Sequence, residues 1–254
     1  MSLKVGLIAT GELYEESLRQ RVVGISQSAQ LLMQLFDYLE PLIVVGMTPS
    51  YFKAQAQAYA LQLGVTLAPS QISFCRFGQV HPDHRIFQEE PLQAGEAFTL
   101  DIWILYQGYH ADLARIYHLP PYRREILLLK KGALAVQEAA AKAAKAGERL
   151  LNIVQAAQLA AMQAGVSIVE GACGHGVGYA LHEEPTIAFC YNAGSPFSRL
   201  KAGSIITIEP LIALKPTTLT IHNDGVVTLP AEIPFFYAEA MVYVGEHQSV
   251  VIGQ

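Results

Sequence analysis

Six side chains capable of acid–base or metal chemistry sit in segments that are otherwise apolar or glycine-rich. They are Asp101 in TLDIW, Asp112 in HADLA, Glu209 in TIEPL, Glu239 in YAEAM, and His175 and His182 in GACGHGVGYALHEEP. Each alone has an ordinary explanation. A single histidine on an apolar segment is usually a hydrogen-bonded core residue, and Glu239 by itself reads as an edge-strand acid turned to solvent. As a set they are harder to place, because carboxylates withdrawn from water repel one another unless something positive sits between them. Four such charges in one pocket call for cations, and two divalent ions would balance them formally. Four carboxylates with one imidazole, that of His175, make an oxygen-rich donor set that suits Mn, Fe(II), Co or Mg better than a thiolate-type zinc site does. Two such ions about 3.5–4 Å apart can bridge a water, lower its pKa and stabilise a hydrolytic transition state.

The elements that must position these groups begin with residues 94–117, AGEAFTLDIWILYQGYHADLARIY. Two aromatic- and aliphatic-rich runs flank Gln107-Gly108, which predicts a β-hairpin with Tyr106 opposite Tyr109. In that register Asp101 faces Ala114 and Asp112 faces Trp103, so both aspartates share a face as diagonal neighbours about 7–8 Å apart. The same stretch recurs at residues 202–212, AGSIITIEPLI against AGEAFTLDIWI, with Glu209 in the slot of Asp101. The match is short, yet its register suggests an internal duplication with one acid at the same point of two strands.

The remaining chain predicts helices and strands in separate blocks. Residues 12–39 carry Val22, Ile25, Ala29, Leu32 and Phe36 at helical spacing and end before Pro41. Thr48-Pro49-Ser50 caps a second helix running to Leu63, with Gly64 as its stop. A strand over 65–74 and a loop over 76–91 follow. Helices over 122–146 and 150–164 precede strands over 203–214, 218–222, 225–229, 235–245 and 250–252, with Asn223-Asp224-Gly225 as a hairpin turn. The four glycines of residues 171–185 let backbone approach closely around the two histidines. This pattern predicts an α+β fold, and residues 1–254 read as a single domain with no linker. Hydrophobic content is 52% and charged content 15%, as in a folded globular chain. A net charge of −5 argues against nucleic acid as the main partner, and no apolar run reaches the roughly 18–20 residues of a membrane span. Three cysteines without ligand spacing read as reduced thiols, which points to the cytoplasm.

LDIWILYQGYHADLARIY, GHGVGYALHEEP, TIEP and YAEAMVYV together resemble the methionine aminopeptidase and prolidase superfamily over nearly the whole chain. The resemblance implies the pita-bread fold, a curved antiparallel sheet in pseudo-two-fold halves with helices on its outer face. It implies two divalent ions (Mn, Co, Fe(II) or Zn) held by Asp101, Asp112, His175, Glu209 and Glu239. His182 would contact substrate and stabilise the tetrahedral intermediate, and Glu209 would also handle the proton of the attacking water. His84, seventeen positions before Asp101, corresponds to an upstream histidine of the family. There are two departures: Arg85 follows His84 where methionine aminopeptidases usually have Gly, and Trp103 replaces a small or hydroxyl residue on the predicted metal face. The implied activity is a cytoplasmic dinuclear aminopeptidase that removes an N-terminal residue from peptides or nascent proteins by attack of a metal-bridging hydroxide. An Xaa-Pro aminopeptidase or dipeptidase is the alternative within enzymes, because GYHADLAR is closer to the prolidase branch. A non-catalytic peptide- or protein-binding module with the same fold is the alternative outside them.

Overall fold

Alternation decides the first sheet. In strands β2 (Ala97–Tyr106) and β3 (Tyr109–His118), Phe98, Leu100, Ile102 and Ile104 are buried on one face, which leaves Asp101 and Trp103 on the other. The register is the expected one, with Tyr106 opposite Tyr109, Asp101 opposite Ala114 and Trp103 opposite Asp112. Gln107 and Gly108 both take positive φ, 50° and 85°, as the tight hairpin requires. Strand β1 (Ile72–Arg76) pairs antiparallel with β2. A computed structural model describes residues 2–77, 89–191, 197–221, 227–230 and 233–252, with side chains from residue 17 onward except at 221, 227 and 228.

Helix α1 (Ser2–Leu39) and helix α2 (Pro49–Gln62) cover the apolar face of this sheet. Ile25, Ala29, Leu32 and Phe36, spaced three or four apart, are fully buried in one cluster with Phe98, Leu100 and Ile102. Thr48 caps α2, its hydroxyl accepting from the Tyr51 N–H at 3.4 Å.

The second half repeats this plan. Helix α3 (Arg124–Ala143) and helix α4 (Leu150–Ala164) are followed by short strands β4 (Ser167–Ile168), β5 (Cys173–Gly176), β6 (Glu183–Ala188), β7 (Ile205–Ile208), β8 (Ile212–Ala213), β9 (Thr220–Ile221), β10 (Val227–Thr228), β11 (Phe235–Phe236), β12 (Ala240–Val244) and β13 (Ser249–Ile252). The main sheet has the order β13-β12-β7-β5-β6, and a smaller one has the order β11-β8-β4. Ile126, Leu129, Val136 and Ile153 of the helices share a cluster with Ile206, Ile208 and Val242 of the sheet. The two halves meet where Ala114, directly opposite Asp101, bridges to Glu239.

Four expectations are corrected. Residues 65–74 are not one strand: Pro69 lacks an N–H and opens a single 3₁₀ turn, so pairing begins only at Ile72. The expected strand over 203–214 is broken at Glu209-Pro210-Leu211, and the one over 235–245 is broken at Tyr237–Glu239. Both breaks are places where the chain passes between the main sheet and the smaller one. Fourth, helix α1 extends well before residue 12. Strands β9 and β10 pair as expected, while the 223–225 turn and His84 lie outside the described residues.

Candidate metal centre

Each half supplies two acids on neighbouring strands. β2 and β3 carry Asp101 and Asp112 on their shared inner face. In the second half Ile208 of β7 pairs with Ala240 of β12, so Glu209 and Glu239 stand one step beyond that pair. The Glu239 N–H donates to the Ala114 carbonyl at 3.0 Å, which stitches the two pairs together. All four acids, with His175, His182 and Trp103, line one cavity of about 510 Å³.

His175 is brought in from β5. The pairing of β5 with β6 shifts register between Gly174 and Gly176, a bulge that re-aims the intervening side chain. Gly174 is required by close packing, since a Cβ there would lie 2.3 Å from the Thr207 carbonyl oxygen. Nδ1 of His175 lies 2.9 Å from the Gly176 carbonyl. A carbonyl only accepts, so Nδ1 bears the proton and the lone pair is on Nε2. Nε2 faces Glu209 Oε1 at 3.4 Å and Asp112 Oδ2 at 3.9 Å. A neutral nitrogen acceptor turned toward carboxylates is the arrangement of a metal ligand.

The electrostatics point the same way. Asp101, Asp112 and Glu239 are only 5–6% exposed. Burial, then the charges of Asp101 and Glu209, push the Asp112 carboxyl well above its usual range. Burial and the neighbouring acids, Asp112 first, do the same to Glu239. Glu209 is pushed up to about 8 by burial, against a hydrogen bond from Thr207 that favours its ionised form. Burial pulls His175 down to about 4. Asp112 Oδ1 and Glu239 Oε1 are buried with no hydrogen-bond partner among the described residues. Buried carboxylate oxygens without a partner are costly when ionised unless a cation completes them, so the donor set fits divalent metal. Asp112, His175 and Glu239 each offer a donor atom within 4.8 Å of the others, while Asp101 and Glu209 line the same cavity outside that tight trio.

Supporting contacts were not anticipated from the sequence. The Thr207 hydroxyl donates to Glu209 Oε1 at 2.7 Å and accepts from the His175 N–H at 3.0 Å. Its place two residues before Glu209 on one strand face was the only available signal. Tyr237 donates to Asp101 Oδ2 at 2.7 Å, across 136 residues and without any local signature. His182 is exposed at the cavity mouth, its ring edge-on to His175 with centroids 4.3 Å apart. Trp103 lies on the cavity wall, its ring 5.7 Å from that of His110.

The sequence profile of metallopeptidase family M24 matches residues 24–244. The methionine aminopeptidase of Treponema pallidum (strain Nichols) is 28% identical over 217 residues, covering 84% of this chain and 85% of that protein. Among solved structures, methionine aminopeptidase from Rickettsia prowazekii superposes with a TM-score of 0.84 at 19% identity, covering 93% of this chain and 98% of the other. Prolidase from Pyrococcus furiosus superposes with a TM-score of 0.74 at 19% identity, covering 92% of this chain but 64% of its own. At these identities the structural likeness speaks to the fold, which is the α+β pita-bread arrangement of two similar halves.

Proposed function

Because the chain belongs to metallopeptidase family M24, we propose that it is a metal-dependent aminopeptidase that removes N-terminal methionine from peptides or nascent proteins. The observation that carries this reading is the convergence of four acids and a lone-pair-bearing imidazole on one cavity. Asp101, Asp112, His175, Glu209 and Glu239 would hold two divalent ions, which supply Lewis-acid activation of water and of the scissile carbonyl when bound. The chain's own residues do the rest. Tyr237 fixes the orientation of the Asp101 carboxylate, and Thr207 that of Glu209. Glu209, ionised where it holds metal, would take the proton of the attacking water and return it to the leaving amine. His182, at the mouth, donates a hydrogen bond to the developing oxyanion.

Residues 1–254 are read as one catalytic unit, supported by the bridge that joins the acids of both halves. Cys75, Cys173 and Cys190 are free thiols, which supports the cytoplasmic location. Among the described residues no helix is long and apolar enough to cross a membrane.

A panel of short peptides varied at the first two residues, assayed with Mn, Co, Fe(II) and Zn, tests the proposal. Release of methionine supports it. Cleavage only before proline selects the Xaa-Pro branch, and metal binding without any cleavage selects the binding module. Asp112→Asn should weaken metal binding, and a wild-type protein that binds no divalent ion at micromolar levels overturns the two-metal centre.

A further inference from the structure

We propose that Arg21 is a positioning residue for His182, acting through a clamp that ties helix α1 to the loop between β5 and β6. The proposal rests on the metallopeptidase reading only for the role of His182. Arg21 Nη2 donates to the Val177 carbonyl at 3.3 Å and forms a close ion pair with Glu183 Oε2. The other oxygen of that carboxylate, Oε1, accepts from the Ala180 N–H at 2.9 Å. One carboxylate therefore closes the loop on itself and fastens it to the helix. The guanidinium lies 5.5 Å from the Tyr179 ring centroid, so Arg21 touches the loop at its start, middle and end. Gly178 makes room for it, since a Cβ there would lie 2.5 Å from Nη2.

His182 immediately precedes Glu183, the residue that the clamp holds. Its ring is exposed, so neighbouring packing restrains it less than it does His175. The loop keeps other ties, including the His110 N–H to the Gly178 carbonyl at 2.7 Å. Helix α1 is anchored independently by Ile25, Leu32 and Phe36. Removing the guanidinium should therefore loosen this loop without detaching the helix. In this arrangement α1 both covers the sheet and sets the position of a side chain at the cavity mouth.

The test uses the full chain with Arg21→Ala, Arg21→Lys and, as a control on the same helix, Arg19→Ala. Amide hydrogen exchange over residues 177–183 and the NMR position of the His182 ring protons are read without added metal. kcat, KM and bound metal are then read with Mn. For Arg21→Ala we expect about tenfold or faster exchange at Ala180 and a His182 ring resonance moved from the position set by the His175 ring. We also expect kcat lower by about 10–10²-fold, with KM and metal stoichiometry little changed. Arg21→Lys should recover part of each effect, because an ammonium can still reach Glu183 but lacks the planar fork. Arg19→Ala should change none of them. Unchanged loop exchange and an unchanged His182 resonance in Arg21→Ala overturn the proposal. So does faster exchange spread over all of α1 and the hairpin, which would mark a purely structural role. If wild type cleaves no peptide while the loop responds as expected, the clamp stands and the peptidase reading fails.

Discussion

Glu209→Gln should make the metal-free protein more stable at neutral pH while abolishing its stabilisation by metal. The Glu209 carboxyl is pushed up to about 8 by burial, against an ordinary 4.5. Between those values the folded chain holds a proton that the unfolded chain has released. Stability therefore falls as pH rises through this window, and the loss is complete above about 8. Each pH unit inside the window costs about 1.4 kcal/mol, so by pH 7 the carboxyl costs the folded state about 3 kcal/mol relative to pH 4.5. Glutamine keeps the size and the hydrogen bond to Thr207 without titrating. At about 2–4 °C per kcal/mol for a chain of this length, the variant should melt up to about 6–12 °C higher at pH 7. Asp112 and Glu239, raised chiefly by burial, act with the same sign. Metal selects the ionised ligands, so added Mn should raise the wild-type melting temperature more at pH 8 than at pH 5.5, and should do little for the variant. Thermal unfolding of chelator-treated protein across this pH range, with and without Mn, measures both effects. A metal-free wild type whose stability is flat or rises with pH, or a Glu209→Gln protein less stable than wild type at pH 7, would refute the reasoning.

His182→Ala should lower kcat by about 10²–10³-fold with metal content unchanged; a matching loss of metal would make it a ligand instead. Trp103→Thr should raise activity on methionyl peptides, because the indole occupies cavity wall beside Asp112. No change in rate would mean that the ring does not crowd the substrate. Gly174→Ala should cost about 1–3 kcal/mol in thermal or denaturant unfolding and weaken metal binding, since the added methyl meets the Thr207 carbonyl oxygen at 2.3 Å. Unaltered stability would show that the strand spacing yields easily.

Much of the site was legible because it lies on alternating strands. A period of two makes face and register readable together, so the pairing of Asp101 with Ala114 and of Trp103 with Asp112 followed from the hairpin alone. The repeat of AGEAFTLDIWI as AGSIITIEPLI put Glu209 in the slot of Asp101 on a second strand, and helical spacing marked Ile25, Ala29, Leu32 and Phe36 as a buried stripe. Less legible was where strands stop. The runs around Glu209 and Glu239 read as continuous, yet both change sheets at the acid, where Pro210 cannot donate to a ladder and Tyr237 turns to Asp101. Local pattern carries no record of which sheet a residue will join.

The chain alone therefore determined which side chains are available, and which of them share a strand face, because both depend on neighbours within a few residues. Tertiary structure decided the rest. It set the bulge that turns His175 Nε2 toward Glu209, the bridge from Ala114 to Glu239, and the reach of Tyr237 and Arg21 to groups more than a hundred residues away. Those contacts join residues far apart in the sequence, most of them across the two halves, and their separation leaves no periodicity from which to read them.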